Sequence, residues 1–300
     1  MHIVIDSSSL GHQARFSTGE LSYQSVATGV IYGFFRQVLS LVNTLQTTNL
    51  IFCWDGRSYL RKKLYPEYKK SRSQEQLSPE EKKELELAYI QFEQIYGDIL
   101  PVLGFRNNFQ VHGYEADDII AYIVKEYDSD FVVVSSDQDL YQLLDYCRMY
   151  SQKRKAYYTK NHFVKDYGIQ PSQWIDVKAI CGCSSDNVEG IKGVGEKTAS
   201  KYVHGALSET TQAFRKIQDE VNAENDYYAM ADPNQAPPML VRNRRLVSLP
   251  MEGFPGVELV PDVCGSYSDF EMMARKYGFK SLLSGRMADE WKALFHRRQG

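Results

Sequence analysis

The stretch DFVVVSSDQD, residues 130–139, decides the fold. Its apolar centre reads as a buried strand over Asp130–Ser135, and the chain then delivers Asp137 and Asp139 just beyond the strand's end. The same design recurs upstream. His2–Ile5 reads as a strand ending at Asp6, before Ser7-Ser8-Ser9. Asn49–Trp54 (NLIFCW) ends at Asp55-Gly56, and the shorter Asn108–Val111 leads into Gly113-Tyr114-Glu115-Ala116-Asp117-Asp118. Helical patterns over Gly29–Leu45, Pro79–Tyr96 and Asp117–Tyr127 separate these runs. Short apolar strands alternating with helices predict an α/β fold with a mostly parallel sheet flanked by helices.

Ligands of such sheets gather beyond the carboxyl ends of the strands. Asp6, Asp55, Asp137 and Asp139 are expected at that edge, with Glu115, Asp117 and Asp118 opening a helix that faces it. A single Asp after a strand is commonly a turn former, and acidic residues in a helix's first turn complement its dipole. Seven carboxylates at one edge exceed those roles, because they repel one another unless cations join them. Hard divalent ions take oxygen ligands, so Mg²⁺ or Mn²⁺ is the expected partner.

After Asp55 comes GRSYLRKKLYPEYKKSR, residues 56–72. It sets Arg57, Arg61, Lys62, Lys63, Lys69, Lys70 and Arg72 among Tyr59, Tyr65 and Tyr68. Such a run can be a solvated helix face. Placed beside a metal-binding edge, it suits phosphates and unpaired bases. Ser73–Leu77 reads as a loop, and Ser78-Pro79-Glu80-Glu81 as a capped helix start. Leu85, Ala88, Tyr89, Phe92 and Tyr96 form a stripe expected to pack in the core.

In CGCSSDNVEGIKGVGEKTA, residues 181–199, Gly190, Gly193 and Gly195 precede a predicted helix over Glu196–Val203. Glycines free backbone amides, and a helix N-terminus attracts phosphate. No lysine–hydroxyl pair follows the glycines as a P-loop requires. Cys181 and Cys183 form a CxC with no second Cys/His pair at ligand spacing, which argues against zinc.

The composition is that of an ordinary globular chain: 300 residues, 43% hydrophobic, 24% charged, net charge −3. No apolar run reaches membrane-spanning length, and MHIVIDSSSL does not read as a signal peptide. Five cysteines at irregular spacing suggest a reducing, cytoplasmic setting.

The ordered set of Asp6, Asp55-Gly56, Arg61, Pro66-Glu67-Tyr68-Lys69-Lys70-Ser71-Arg72, Glu115-Ala116-Asp117-Asp118, Ser136-Asp137-Gln138-Asp139, Ser184-Ser185-Asp186-Asn187 and the glycine hairpin resembles the 5′-nuclease (flap endonuclease) superfamily. That superfamily includes stand-alone phage enzymes and the 5′–3′ exonuclease domain of bacterial DNA polymerase I. The resemblance covers roughly residues 1–250, with Arg242–Val247 matching a further segment, and favours a stand-alone, phage-like member. It implies a nuclease core over about 1–170 that includes a helical arch at about 56–100. A helix–three-turn–helix DNA-binding region and a C-terminal helical part would fill 171–300.

The resemblance also implies roles. Asp6, Asp55, Glu115 and Asp117 would hold one metal with Asp118 close by, and Asp137, Asp139 and Asp186 a second. Lys69 and Arg72 match positions that contact the scissile phosphate. Arg61, Tyr68, Lys70, Lys178, Lys197, Gly190, Gly193 and Gly195 would bind substrate, and the hairpin a monovalent cation such as K⁺. The implied partner is DNA with a 5′ single-stranded flap, a nick or an end, with RNA–DNA hybrids left open, acted on by a monomer away from any membrane. The reaction would be metal-assisted phosphodiester hydrolysis, leaving a 5′-phosphate and a 3′-hydroxyl.

One position departs. The family usually reads Gly-Asp-Ser-Ser-Asp-Asn, whereas this chain reads Gly182-Cys183-Ser184-Ser185-Asp186-Asn187. Sulfur matches magnesium poorly, so the second site is expected to bind metal more weakly and to prefer manganese. Two rivals use the same residues: a catalytically weakened structure-specific DNA-binding protein, and a small PIN-like RNA nuclease, a class that generally lacks the arch and hairpin. A helix over Asp269–Tyr277 and a solvated basic end at His296-Arg297-Arg298 are expected in the tail.

Overall fold

A computed structural model describes residues 1–70, 77–230, 232, 235–263 and 265–299. Arg72, the neighbouring Ser71 and the loop over 73–76 lie outside the described residues, as do positions 231, 233 and 234 of the proline-rich stretch.

Strand β1 (His2–Asp6) runs directly into helix α1 (Ser7–Thr18). A small hairpin of β2 (Ser22–Tyr23) and β3 (Val26–Ala27) leads to α2 (Gly29–Leu45) and β4 (Leu50–Trp54). The excursion holds α3 (Tyr59–Leu64) and α4 (Pro79–Glu93), then a wide π-helical turn (Gln94–Ile99) and α5 (Leu100–Val102). The core continues with β5 (Asn108–Gln110), α6 (Ala116–Glu126), β6 (Phe131–Val134), β7 (Cys147–Ser151) and β8 (Ala156–Tyr158).

The six-stranded sheet has the order β5-β4-β1-β6-β7-β8, parallel except for β8 on β7. The expected α/β architecture, a mostly parallel sheet between helices, is the one observed. Side chains alternate across it. Ile3 and Ile5, Leu50 and Phe52, and Val132 and Val134 pack into one core with α1 and α2. Val4, Ile51 and Cys53, and Phe131 and Val133 pack into the other with α6. Both faces are covered, so the strands read as unbroken apolar runs. β1 is central, with β4 and β6 on either side, and the connections run in opposite directions from it. This is the point where a crevice opens beyond the strand ends.

Helix α1 was not anticipated. Asp6 caps it, its Oδ1 accepting the Ser9 N–H at 2.9 Å, so the Asp-Ser-Ser-Ser run was a helix start. The Ser78 capping box forms as expected. In the stripe that follows, Leu85, Ala88 and Phe92 are buried, but Tyr89 is 44% exposed, contrary to its expected place in the core.

Beyond the sheet lie α7 (Lys160–Tyr167), α8 (Trp174–Cys181), the short strands β9 (Gly182–Cys183) and β10 (Val188–Glu189), and α9 (Glu196–Val203). Then come α10 (Gln212–Met230), α11 (Met239–Val247), α12 (Tyr267–Lys276) and α13 (Gly285–Gln299). α8 and α9 pack together and flank the glycine hairpin. The last two helices return to α2: Trp291 stacks on Phe270 at 4.2 Å and contacts Phe35. Arg298 is not solvated as expected. Its side chain is 4% exposed, lies 3.8 Å over the Phe105 ring and pairs with Asp262 at 2.9 Å.

Candidate active site

At the carboxyl end of the sheet an open pocket of about 530 Å³ is lined by Asp6, Asp55, Glu115, Asp117, Asp137 and Asp139. The backbone explains the convergence. Asp6 ends β1 and Asp55 follows β4. The Asp55 Oδ1 accepts the Ala116 N–H at 2.9 Å, which ties it to the start of α6. The Ser8 hydroxyl oxygen accepts the Asp55 N–H at 2.8 Å, so α1 fixes the same loop. Glu115 is the N-cap of α6, with Asp117 in its first turn. After β6, Asp137 Oδ1 accepts the Asp139 N–H at 2.8 Å, and the Trp174 indole N–H holds the Gln138 carbonyl at 2.8 Å.

The cluster is electrostatically tense. Enclosure by protein, then Asp55 and Asp137, push the Asp6 carboxyl up to about 7. Enclosure and the charges of Asp137, Asp6 and Asp55 raise Asp117 well above the carboxylate range. Asp137 at the rim is raised by removal from bulk water and by Asp139. Glu115 goes the other way. Burial would raise it, but Lys69 and Arg61 outweigh burial and hold it low. A site of carboxylate oxygens that resist ionising together is the donor set a hard divalent cation satisfies.

Two lysines sit on the cluster. Lys69 Nζ lies 2.6 Å from Glu115 Oε1 and 4.0 Å from Asp186 Oδ1. Its backbone is in the left-handed region at φ 52°, and its N–H donates to the Asp186 carbonyl at 2.8 Å. Lys178 Nζ pairs with Asp139 Oδ1 at 2.9 Å and Glu196 at 3.2 Å. Despite burial, the carboxylates Glu115 and Asp139 respectively hold both lysines above their ordinary range, so both are protonated at neutral pH.

Some expected residues are placed differently. Asp118 has no exposed surface and does not line the pocket. It takes a two-pronged pair from Arg61 at 2.6 and 2.8 Å and accepts the N–H groups of Met251 at 2.7 Å and Glu115 at 3.0 Å. With its acceptors directed at protein, it sits apart from the pocket carboxylates. Arg61 is correspondingly 1% exposed, and its Nε–H donates to the Leu246 carbonyl at 3.0 Å, so it joins α3, α6 and α11 instead of reaching substrate. Tyr68 is 3% exposed, and its hydroxyl donates to Glu115 at 2.9 Å and Asp186 at 3.2 Å; it orients carboxylates and has no open face for a base. Lys178 lines the pocket, paired with Asp139 and with Glu196, the first residue of α9 after the hairpin. Lys70 is exposed and pairs with Glu67 at 2.9 Å.

The cysteine position is distinctive. Asp139, Cys183 and Asp186 present ligand atoms within 4.8 Å of one another. The Cys183 thiol donates to Asp139 Oδ2 at 3.6 Å and lies 3.0 Å from the Ser185 hydroxyl. Burial and Asp139 push the thiol up to about 11, so it is neutral at pH 7 without a metal. Ser9, His12, Ser135, Ser136, Gln138 and Ser185 also line the pocket and were not anticipated. The serines lie close to Asp6, Asp137 and Asp186 in sequence, which is a signal; nothing in the pattern distinguishes His12.

The hairpin glycines divide by role. A Cβ on Gly190 would lie 2.1 Å from the Cys181 carbonyl carbon, so that glycine permits close packing of the chain on itself. Gly193 needs its φ of 84°. Gly195 has ordinary torsions as the N-cap of α9 and open space in front of it, and Lys197 is exposed beside it.

Comparison with known proteins matches this architecture. Residues 1–168 match the 5′-3′ exonuclease N-terminal resolvase-like domain, and residues 169–236 the 5′-3′ exonuclease C-terminal SAM fold. The chain is 33% identical to the 5′-3′ exonuclease of Bacillus subtilis over 216 residues, covering 67% of this chain and 69% of that protein. It is 33% identical to DNA polymerase I of Streptococcus pneumoniae over 221 residues, 68% of this chain but only 24% of the polymerase. Among solved structures, T5 5′-exonuclease with bound divalent metal ions (zinc) superposes with a TM-score of 0.65 at 21% identity, over 99% of this chain and 98% of that one. The matches span both halves of the protein and include a relative of comparable length, and the chain therefore belongs to the 5′–3′ exonuclease family of nucleases.

Proposed function

We propose that this nuclease hydrolyses phosphodiesters in DNA bearing a 5′ single-stranded flap, a nick or a free 5′ end, using Mg²⁺, which Mn²⁺ can replace. The products would carry a 5′-phosphate and a 3′-hydroxyl. The observation that carries the reading is the convergence of the six pocket carboxylates from four chain segments beside Lys69 and Lys178. Asp6, Asp55, Glu115 and Asp117 would hold one ion, and Asp137, Asp139 and Asp186 a second. Such ions acidify a bound water and polarise the scissile phosphate.

The protein's own groups account for the rest. Lys69, protonated and at the pocket, offsets charge that builds on the phosphate. Tyr68 holds Glu115 and Asp186 in place. The adjoining cavity of about 910 Å³, lined by Arg57, Tyr59, Lys62 and Tyr89, offers cations and aromatic rings to the 5′ strand. The N-terminus of α9, with Gly195 and Lys197, would take duplex phosphates without reading sequence.

The test is cleavage of 5′-labelled flap and nicked duplexes, titrated with Mg²⁺ and then Mn²⁺, with Asp117→Asn as control. Cuts near the junction that vanish in the variant support the reading; tight binding without cuts at any metal level overturns it. Lys69→Ala should lower turnover by about 10²–10³-fold and duplex affinity far less. Equal losses in the two would remove its role at the phosphate.

The hairpin glycines give a second check. Gly190→Ala should destabilise the fold by about 1–3 kcal/mol through overpacking. Gly195→Ala should leave the melting temperature nearly unchanged while weakening duplex binding. Unaltered affinity on filter binding would place the DNA elsewhere.

A further inference from the structure

Cys181 and Cys183 lack a second Cys/His pair near them in the chain. The fold supplies other donors. Asp139 comes from the turn after β6, while Cys183 and Asp186 come from the segment after α8, and their ligand atoms gather within 4.8 Å. Cys183 is 8% exposed, and its sulfur lies 3.6 Å from Asp139 Oδ2. In a tetrahedral site with a metal–sulfur bond of about 2.3 Å and a metal–oxygen bond of about 2.1 Å, the sulfur–oxygen edge is about 3.6 Å. The observed pair already has that separation. Lys178 occupies the other Asp139 oxygen, Oδ1, at 2.9 Å, which leaves Oδ2 turned toward the sulfur.

We propose that Asp139, Cys183 and Asp186 form a thiolate-containing site that selects a borderline transition-metal ion of the zinc(II) class over Mg²⁺. Three protein ligands leave one position for water or a substrate oxygen, the pattern of a catalytic rather than a structural site. On binding, the thiol proton passes to solvent as the sulfur–metal bond forms; no oxidant or reductant takes part. The inference rests on the nuclease reading for its position beside the oxygen-only cluster of Asp6, Asp55 and Asp117. It makes the centre a mixed pair, with a hard ion on oxygen and a softer one on sulfur. The usual family residue at Cys183 is aspartate, which presents oxygen and does not discriminate in this way.

The full-length protein, stripped with a chelator, is titrated with Co²⁺ alone. One equivalent should produce a sulfur-to-cobalt charge-transfer band in the near ultraviolet. The band should be lost in Cys183→Ser and Cys183→Asp, kept in Cys181→Ser, displaced by Zn²⁺ and resistant to excess Mg²⁺. Zn²⁺ affinity, measured by competition, should fall at least about 100-fold in Cys183→Ser, since removing even an outer-shell partner costs 10–100-fold. Cys183→Asp should lower the Mg²⁺ concentration for half-maximal cleavage. A missing band, or one unchanged in Cys183→Ser, overturns the proposal. Should the variants fail to fold, zinc-edge absorption on the unsubstituted protein decides. A sulfur scatterer at about 2.3 Å supports the site, and a shell without sulfur overturns it. Cleavage in Mg²⁺ without a cobalt band would defeat this inference and leave the nuclease reading standing. A band without cleavage would do the reverse.

Discussion

Asp6→Asn should raise the melting temperature of the metal-free protein at pH 8 while lowering cleavage by at least about 10²–10³-fold. The opposite signs come from one cause. In the fold the Asp6 carboxyl is pushed from 3.8 up to about 7, by enclosure first and then by Asp55 and Asp137. Between those values the native state holds a proton that the unfolded chain has released. Stability therefore falls as pH rises through that window and stays lower above it. At about 1.4 kcal/mol per unit, the cost is on the order of 2–4 kcal/mol. Asparagine removes the charge yet still accepts the Ser9 N–H as the cap of α1.

Differential scanning fluorimetry in chelator should show the variant several degrees more stable at pH 8 and equal to the parent near pH 4. Added Mg²⁺ should stabilise the parent and have much less effect on the variant, because the ion stabilises only the state that binds it. A variant less stable than the parent at pH 8 would show that Asp6 is not held against repulsion.

Arg61→Ala should cost about 3–5 kcal/mol, measured by urea unfolding, because it leaves Asp118 buried without its cation. Both residues are essentially sealed from solvent, and the pair links α3, α6 and the Leu246 carbonyl of α11. Arg61→Lys should recover only part of the loss, since an ammonium cannot supply the two-pronged fork. Lys69→Ala should cost less, about 1–3 kcal/mol, because Glu115 loses one cation but keeps Arg61 at 3.6 Å and the Tyr68 hydroxyl at 2.9 Å. If Arg61→Ala instead folds with parental stability and loses only DNA affinity, Arg61 contacts substrate after all.

These two arginine and lysine positions show how legible the site was. They lie in the same basic run, residues 56–72, and the run has no feature that separates them. Arg61 is buried because residues far away in the chain, Asp118 and Leu246, fold around it. Lys69 reaches the pocket because Tyr68 and the Asp186 carbonyl pin its backbone in a left-handed turn. Likewise, Glu115, Asp117 and Asp118 are adjacent in sequence, yet the helical rotation of α6 turns Asp118 away from the pocket and into the protein.

The sequence by itself determined four of the sheet's six strands, their parallel sense and the edge at which carboxylates gather, but neither β7 nor the antiparallel β8. Those properties follow from local patterns: apolar runs the length of a strand, helices between them, and acidic residues at or shortly after the ends of those four strands. It also determined the departure at Cys183, which is a matter of residue identity. Tertiary structure alone decided which charges are paired, which are strained and which ligand atoms share a cation. Those depend on distances between segments more than a hundred residues apart, such as Asp6 with Ser135 or Tyr68 with Asp186. Coulomb and hydrogen-bond energies change steeply over a few ångströms, a scale that the order of residues along a chain does not encode.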